Sequence, residues 1–334
     1  ALGFEPISYK GLETGSREKV SYVMRQSQVY FVLSSPLIPG TEIGHHIDKH
    51  GDGIKDVSFS VDNAEKAWEE TTNRGAESVS KPKLVEDDKG GAVIATIKTY
   101  GDTTHTFVQR NDYNGNFLPG FEDLKLKNSG KNTGLVHIDH VVGNQPDGIM
   151  QPVCDFYEKV FGWHRFWSVD DNDLSTKYSS LRSIVMANDN EKIKMPINEP
   201  AKGLKKSQIQ EFVDYYNGAG IQHVAMSTKD IIKTVKKLRS NGVEFLPTPQ
   251  SYYDTLLDRV GDLKEDINLL SELGILVDSD ENGYMLQIFT KPIQDRPTLF
   301  YEIIQRKGSN SFGKGNFKAL FESIEREQML RGNL

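Results

Sequence analysis

Apolar and polar residues alternate along GIQHVAMST (residues 220–228), and this period of two predicts a β-strand with Ile221, His223 and Ala225 on one face. The next segment, KDIIKTVKKLRSNG (229–242), repeats its apolar residues at i, i+4 and i+7. That spacing predicts an amphipathic helix that ends at the Asn-Gly pair. VEFLPTP then returns to extended chain. The pattern therefore predicts a strand–helix–strand unit.

The same unit occurs earlier in the chain, where it begins with GIKDVSFSVDN (53–63). Aligning Gly53 with Gly220 gives an offset of 220 − 53 = 167, and this register continues without a gap as far as Pro82 and Pro249. Eight of the thirty aligned positions are identical, whereas unrelated sequences of average composition would share about two. The chain therefore contains an internal repeat.

Two more units complete the pattern. One begins at GLVHIDHVVGN (134–144), and the alternating segments GYMLQIFT (283–290) and TLFYEIIQR (298–306) end the last unit. Matching the Gln-Arg pairs at 109–110 and 305–306 raises the offset to 196, so the second half carries 29 additional residues. Most of them lie in 252–274, which has a helical pattern. We predict four strand–helix–strand–strand–strand units, two in each half.

The units indicate two domains. We predict a first, non-catalytic domain at 1–112, a Gly- and Asn-rich linker at 113–134, and a second, catalytic domain at 135–334. From about residue 313, apolar residues at helical spacing follow a glycine-rich stretch, so we expect an amphipathic C-terminal helix. The opening ALGFEPISY is similar to the middle of the third unit, and we expect the first unit to lack its initial strand.

Composition excludes several classes of protein. The formal net charge is −7 and the sequence shows no basic stripe, so we expect no nucleic-acid partner. The single cysteine, Cys154, excludes an intrachain disulfide and is typical of a reducing compartment. No apolar run approaches the ~18 residues of a membrane-spanning helix, and no signal peptide opens the chain. We therefore expect a cytoplasmic protein without a membrane partner.

Three residues of the second half carry unusual chemistry for their positions. His140 and His223 each lie on the apolar face of a strand near the start of a unit, and Glu302 lies between two apolar residues on a final strand. Burying an ionised carboxylate on an apolar face costs several kcal/mol unless it is paired or binds a metal. In the first half, Asp56 replaces His223 and Thr106 replaces Glu302. We predict a metal site in the second half alone.

Two imidazoles and one carboxylate are the ligands of many non-haem Fe(II) sites, and they leave three positions open. Zn²⁺ also accepts this set, so ligand type leaves both metals open. An H-x-D motif at His137–Asp139, paired with a distant histidine, is a competing metal site. We expect His45, His46 and His50 to lie in a polar surface loop.

Several long segments resemble the 4-hydroxyphenylpyruvate dioxygenase family, part of the vicinal-oxygen-chelate superfamily. They are IDHVVGNQPD (138–147), KSQIQEFVDYYNGAGIQHVAM (206–226), LQIFTKPIQDRPTLFYEIIQR (286–306) and FGKGNF (312–317). The resemblance extends through GFEPISYKGLETGSREKV and TYGDTTHTF into the first half. It implies an α+β glyoxalase fold, in which each domain pairs two βαβββ units into open, barrel-like sheets.

The family resemblance also implies residue roles and a reaction. The iron ligands would be His140, His223 and Glu302. The substrate pocket would contain Ser183, Asn198, Gln208, Gln287, Phe289, Phe300, Phe312, Asn316 and Phe317. Phe289 and Phe317 would hold the ring faces, and the C-terminal helix from about residue 313 would act as a lid that excludes water. Gln222 is a neighbour of the pocket in the family, but strand alternation predicts that it points away from His223. The implied reaction uses Fe(II), O₂ and 4-hydroxyphenylpyruvate, and it yields homogentisate and CO₂ in tyrosine catabolism.

Three points stay open at the level of sequence. A 4-hydroxymandelate synthase has the same ligands and substrate but oxidises the benzylic carbon, so the ligands alone do not define the product. A metal-free protein that binds a small aromatic molecule on the same fold is the alternative from another functional class. The resemblance implies a homodimer or a homotetramer without deciding between them.

Overall fold

The computed structural model describes residues 1–110, 112–124, 131–169, 180–201, 203 and 205–332. The elements of the first half are β1 (Glu5–Lys10), β2 (Lys19–Gln26), β3 (Val29–Pro36), α1 (Glu42–His50), β4 (Asp56–Ser60), α2 (Ala64–Asn73), β5 (Ser78–Asp87), β6 (Gly90–Lys98), β7 (Thr104–Arg110) and the short β8 (Glu122–Asp123).

The second half continues the same alternation of strands and helices. Its elements are β9 (Leu135–Asn144), α3 (Met150–Phe156), β10 (His164–Val169), β11 (Ser180–Ala187), β12 (Lys194–Ala201), α4 (Gln208–Tyr216), β13 (Gly220–Thr228), α5 (Ile231–Ser240), α6 (Gln250–Asp254), α7 (Leu256–Val260), α8 (Ile267–Leu273), β14 (Leu276–Asp280), β15 (Gly283–Phe289), β16 (Phe300–Lys307) and α9 (Phe317–Leu330). A π-helical turn, Tyr157–Phe161, extends α3, and a 3-10 turn, Lys314–Asn316, precedes α9.

The strands of the second half form one eight-stranded sheet in the order β10-β11-β12-β9-β13-β16-β15-β14. The two units of this half meet where β9 pairs antiparallel with β13. In the first half, the described strands form two four-stranded sheets, β3-β2-β1-β8 and β4-β7-β6-β5. The segment predicted as a linker therefore contributes β8, which pairs with β1. The mixed sheets and their covering helices agree with the predicted α+β fold.

The repeat is visible in the helices that follow β4 and β13. Helix α2 begins at Ala64 and ends at Asn73, and α5 begins at Ile231 and ends at Ser240, so both ends differ by 231 − 64 = 167 residues. The N-cap side chains of Asn63 and Asp230 accept hydrogen bonds from the backbone N–H three residues later. Local capping chemistry thus starts both helices at equivalent positions.

The additional residues of the second half form helices α6, α7 and α8, as the sequence pattern predicts. They lie between α5 and β14, where the first half passes directly from α2 to β5. None of the helices in the described ranges has both the length and the apolar character that crossing a bilayer requires.

The prediction of a polar surface loop at His46 and His50 is wrong. Both lie on α1 and are buried, and the His50 ring stacks on Tyr216 with ring centroids 4.3 Å apart. The Nε2 atom of His50 also lies 2.9 Å from a carboxylate oxygen of Asp102. The partner Tyr216 is far away in sequence, so the local pattern contains no sign of this packing.

Lowering the pH from 7 to 5 is expected to reduce the free energy of unfolding by about 2 kcal/mol through His105 alone. This side chain is fully buried between the halves, where its ring lies 2.9 Å from the Val57 carbonyl and 2.8 Å from the Tyr157 hydroxyl. Burial lowers its pKa from 6.5 to about 4. The unfolded chain therefore binds the proton first, and stability is lost from about pH 6.5 downward.

Urea unfolding of the metal-free protein at the two pH values measures this effect. His105→Gln should lose about 2 kcal/mol less than the unmodified protein over the same interval, because it has no ionisable group at this position. Equal losses in the two proteins would contradict the role of His105.

Candidate metal centre and substrate pocket

Three neighbouring strands bring the predicted ligands together. His140 lies on β9, His223 on β13 and Glu302 on β16, and β13 pairs with both of the other strands. In the pairing register, Ala225 lies opposite His140 on one side and opposite Glu302 on the other. Its small side chain is fully buried between them. The site therefore lies at the centre of the sheet, where the two units of the second half meet.

The ligand atoms converge on one carboxylate oxygen. The Nε2 atom of His140 lies 3.2 Å from Oε2 of Glu302, and the Nε2 atom of His223 lies 3.4 Å from the same oxygen. One ligand atom from each of the three residues lies within 4.8 Å of the others. All three side chains are buried. Burying these polar groups together costs free energy unless they are hydrogen-bonded, paired with an opposite charge or bound to a metal.

The residue before each histidine holds the other ring nitrogen. The Nδ1 atom of His140 lies 2.8 Å from Oδ1 of Asp139, and the Nδ1 atom of His223 lies 3.0 Å from Oε1 of Gln222. Because carboxylate and amide oxygens accept hydrogen bonds, each imidazole donates from Nδ1 and presents its Nε2 lone pair to the site. Such second partners orient the imidazole ligands of metals.

Irregular strand pairing explains this arrangement. The pairing between β9 and β13 shifts register between Ile221 and His223, which leaves Gln222 without an opposite residue. A second shift skips Asp139. A β-bulge re-aims the side chains at and beside the extra residue. The predicted orientation of Gln222, away from His223, is therefore wrong.

A buried ion pair fixes Asp139 in turn. The guanidinium of Arg306 forms a two-pronged contact with the Asp139 carboxylate, and both distances are 2.9 Å. Arg306 also donates to the carbonyls of Ser309 and Ser311 and lies 5.3 Å from the ring centroid of Phe312. One side chain thus connects a histidine of the site to the chain that leads to the C-terminal helix.

Neighbouring charges control the ionisation of the three ligands. Burial alone would raise the pKa of Glu302, but His140 and His223 lower it to about 2. Burial would lower the pKa of His140, yet the carboxylates of Glu302 and Asp139 raise it above its usual value. Burial lowers the pKa of His223, and Glu302 offsets only part of this change. The site therefore favours an ionised glutamate and a neutral His223, the forms that bind metals.

The donor set fits a divalent metal ion. Two Nε2 lone pairs and a carboxylate converge, and Oε1 of Glu302 has no hydrogen-bond partner among the described residues. Only a cation, either a proton or a metal ion, offsets the repulsion of these atoms. Adjacent ligands of an octahedral ion with bonds of about 2.0–2.2 Å are roughly 3 Å apart, close to the two Nε2–Oε2 distances of the structure. This set is typical of non-haem Fe(II).

The pocket residues predicted on β11 and β12 lie side by side. Ser183 pairs directly with Asn198, and both are buried. The Asn198 amide lies 3.4 Å from the side-chain oxygen of Asn144, at the end of the strand that carries His140. The Nδ2 atom of Asn144 has no partner among the described residues. These amides form a polar surface on β9 and β12, two neighbouring strands of the sheet that contains the metal centre.

Aromatic rings surround His223. Phe300 stacks on its imidazole at a centroid distance of 4.7 Å, and Phe289 meets it edge-on at 6.0 Å. Gln208 is the first residue of α4, and with Phe300 and Gln222 it lines a small cavity of about 30 Å³ that is partly open to solvent. The metal ligands do not line this cavity.

The remaining predicted residues lie near the C-terminal helix. Phe312 packs against the His140 ring at 5.1 Å, and Asn316 is fully buried in the 3-10 turn before α9. Phe317 begins α9 and stacks on Trp167 at 6.2 Å. Gln287 packs against Gly313 so closely that a Cβ there would lie 2.5 Å from its Nε2 atom. This close approach, together with a φ of +80°, requires glycine at position 313.

Comparison with known proteins identifies the family. A sequence model of the Glyoxalase/Bleomycin resistance protein/Dioxygenase superfamily matches residues 137–288. The chain is 53% identical over 343 residues to a 4-hydroxyphenylpyruvate dioxygenase of Xenopus tropicalis, across 100% of this chain and 87% of that relative. It is 51% identical over 346 residues to one of Yarrowia lipolytica, across 100% and 88%. The chain belongs to the 4-hydroxyphenylpyruvate dioxygenase family.

A solved structure supports the fold of this 4-hydroxyphenylpyruvate dioxygenase family member. A triple mutant of 4-hydroxymandelate synthase from Streptomyces coelicolor matches it with a TM-score of 0.87 at 33% identity, across 98% of this chain and 92% of that one. This likeness extends over both halves. The predicted fold class and the family resemblance are therefore confirmed.

The structure does not favour the competing H-x-D site. His137 is exposed, and its Nδ1 atom lies 2.9 Å from the hydroxyl of Ser227. Asp139 is committed to Arg306 and to His140. The candidate metal group of the described chain contains neither of them.

Sequence reasoning did not place four residues beside the predicted site, and it considered one of them, Asp139, only as a ligand of the competing H-x-D site. They are Asp139, Arg306, Trp167 and Tyr252. Asp139 was accessible from the sequence, because it precedes a ligand histidine just as Gln222 does in the next unit. The others contact their partners only through the folded arrangement of distant segments.

Proposed function

We propose that this protein is a 4-hydroxyphenylpyruvate dioxygenase, which converts 4-hydroxyphenylpyruvate and O₂ into homogentisate and CO₂ in tyrosine catabolism. The observation that carries the proposal is the convergence of His140, His223 and Glu302. It occurs in a chain that is, over its own full length, 53% identical to a dioxygenase of this name. We further propose that the resident metal is Fe(II), for which this ligand set with open positions is typical.

Ferrous iron held by His140, His223 and Glu302 would supply a Lewis-acidic site for the 2-oxo acid and for the activation of O₂. The protein's own contribution is geometry. Asp139 and Gln222 hold the Nδ1 protons and keep both imidazoles in the tautomer that binds metal. The ionised Glu302 leaves one net positive charge with Fe(II), which suits an anionic substrate.

The pocket side chains would position the aromatic ring and exclude water. Phe289, Phe300 and Phe312 supply apolar faces beside the two histidines. Ser183, Asn198, Gln208 and Gln287 supply buried hydroxyl and amide groups that bind substrate oxygens. We propose that Phe317 and α9 close over the ring, and that Phe289 and Phe317 hold its two faces. Small errors in ring placement would redirect oxidation.

The principal alternative is 4-hydroxymandelate synthase, which shares the ligands. The higher identity to the dioxygenases, 53% against 33%, favours ring hydroxylation. A metal-free protein that binds an aromatic molecule is the other alternative. The convergence of two Nε2 atoms on the ionised Glu302, whose Oε1 has no partner in the described chain, is typical of a metal site and disfavours this alternative.

The purified protein, supplied with Fe(II) and O₂, is expected to convert 4-hydroxyphenylpyruvate into homogentisate with one CO₂ released per product. Chromatography of the products with authentic standards, together with an oxygen electrode, measures this outcome. 4-Hydroxymandelate as the main product would replace the proposal with the synthase. Substrate binding without oxygen uptake would support the metal-free binding protein.

Two further features belong to the proposal. We propose that the protein acts in the cytoplasm, in line with its composition and its lone cysteine. We also propose a homodimer, with a homotetramer as the alternative, and sedimentation velocity measures which is present. The division into a non-catalytic domain at 1–112, a linker at 113–134 and a catalytic domain at 135–334 is part of the same proposal.

A further inference from the structure

The helices inserted between α5 and β14 have no counterpart in the first half and no role in the proposed function so far. Helix α6 carries Tyr252, which is buried. Its hydroxyl lies 2.6 Å from Oδ1 of Asn316, in the turn that precedes α9. The insertion therefore reaches the segment between Phe312 and Phe317, two of the predicted pocket residues.

The hydrogen bonds around the Tyr252 hydroxyl determine which acceptor receives its proton. The backbone N–H of Val277 donates to the hydroxyl oxygen at 2.7 Å, while the Val277 carbonyl lies 2.8 Å away. A phenolic hydroxyl carries a single proton. The shortest contact to an acceptor is the one to Asn316, so this proton is best donated to Oδ1 of the amide.

The ring of Tyr252 is held from both sides. The guanidinium of Arg259 lies 4.5 Å from its centroid, and the ring of Tyr253 packs edge-on at 5.0 Å. Arg259 also donates to the Gly315 carbonyl at 3.4 Å, next to Asn316 in the chain. The inserted helices thus contact both the tyrosine ring and the turn, and the hydroxyl has a fixed position relative to the amide.

The other end of the Asn316 amide has no protein partner. Asn316 is fully buried, and its Nδ2 atom lacks a hydrogen-bond acceptor among the described residues. A buried amide that keeps its donors unpaired is destabilising. Rotation of the amide by 180° would place Nδ2 against a hydroxyl oxygen that already accepts from the Val277 N–H, and it would move the hydroxyl proton to the more distant Val277 carbonyl. The orientation in the structure keeps the shorter hydrogen bond. The Nδ2 group therefore points away from Tyr252, toward the side of Asn316 that has no protein acceptor among the described residues.

We propose that Tyr252 is a positioning residue, which orients Asn316 so that its Nδ2 group donates a hydrogen bond to an oxygen of the bound substrate. This inference rests on the proposed function, since it concerns the same pocket. It also explains why the insertion occurs only in the half that contains the metal ligands. In the described part of the first half, α2 is followed directly by β5 without such an insertion.

Tyr252→Phe tests the proposal because it removes only the hydroxyl. The KM for 4-hydroxyphenylpyruvate is expected to rise roughly 2- to 10-fold, the range of one neutral hydrogen bond. CO₂ release is also expected to exceed homogentisate formation, because the ring is less well placed. Tyr253→Phe is the matched control: this neighbour is also buried, but its hydroxyl donates to the Ile275 carbonyl. The control should keep the KM and the product ratio within about 2-fold of the unmodified enzyme.

A double-mutant cycle separates positioning from general loosening of the fold. Asn316→Ala should raise the KM at least as much as Tyr252→Phe, and adding Tyr252→Phe to it should cause no further change. A full additional effect in the double variant would overturn the proposal, as would an unchanged KM and product ratio in Tyr252→Phe. Equal urea midpoints for the two tyrosine variants would show that both are equally folded.

Phenylpyruvate, which lacks the ring hydroxyl, identifies the substrate oxygen. If Nδ2 donates to the phenolic oxygen, Tyr252→Phe weakens anaerobic binding of 4-hydroxyphenylpyruvate and leaves that of phenylpyruvate unchanged. If it donates to the oxo acid group, both weaken by the same factor. Either pattern supports the proposal, and unchanged binding of both overturns it. Failure of the unmodified enzyme to form homogentisate would instead refute the proposed function.

Discussion

Replacing Glu302 with glutamine is expected to weaken Fe(II) binding by more than about a hundredfold, because even the outer partners of metal ligands are worth 10- to 100-fold. The substitution preserves shape but removes the negative charge that both imidazoles face. Turnover should fall by at least the same factor. Isothermal titration under anaerobic conditions and an oxygen electrode measure the two quantities.

The metal-free protein provides a second measurement of the same change. In the unmodified protein, Fe(II) should raise the melting temperature in proportion to the logarithm of its concentration, since it binds only the folded chain. Glu302→Gln should show little of this shift. The shift is measured from each variant's own metal-free melting temperature, because the removed carboxylate, whose pKa both histidines lower, also stabilises the metal-free fold.

Glu199→Gln is the matched control for this experiment. Glu199 is as deeply buried as Glu302, but it accepts a hydrogen bond from the Met150 N–H and lies outside the metal group of the described chain. This variant should keep the thermal shift with Fe(II). If Glu302→Gln binds Fe(II) as tightly as the control does, the assignment of the carboxylate ligand is wrong.

Sequence reasoning succeeds where structure is decided locally or by repetition. The N-cap residues Asn63 and Asp230 mark the starts of two helices whose ends also agree with the repeat offset. The ligands were recognisable because ionisable groups on apolar strand faces are rare without a partner. Two such groups occur at equivalent places in consecutive units, His140 and His223.

The same reasoning fails where geometry depends on pairing between strands. Alternation assumes a regular strand, but Asp139 and Gln222 lie at register shifts that arise only when β9 meets β13. No glycine or proline is adjacent to Asp139 or Gln222 in the sequence to signal a bulge at either residue. The orientation of both side chains toward the histidines is therefore a property of the sheet.

Long-range contacts define the rest of the site. His50 is buried by Tyr216, and Asn316 is oriented by Tyr252, each across a long stretch of chain. The hydrophobic pattern identifies which residues are buried on a helix or strand face, but it does not identify their partners. A histidine in a polar segment such as HHIDKH consequently has the same local pattern whether a distant aromatic ring covers it or not.

Arg306→Met is expected to destabilise the metal-free protein by about 3–5 kcal/mol, the usual cost of leaving one charge of a buried pair without its partner. The Asp139 carboxylate is only 8% exposed, and Arg306 makes two of its contacts. The variant also loses the hydrogen bonds to Ser309 and Ser311. Urea unfolding measures the change.

Removing both charges tests this explanation. Asp139→Asn combined with Arg306→Met should recover part of the loss, because no unpaired charge remains. Arg165→Met is the control, since Arg165 pairs with exposed carboxylates at Asp155 and Glu158 and its replacement should cost less than about 1 kcal/mol.

Asp139→Asn alone should weaken Fe(II) binding roughly 10- to 100-fold, because the Asp139 carboxylate orients His140. A double variant that is less stable than Arg306→Met would show that the buried charge is not the source of the loss, and that packing and the serine carbonyls account for it.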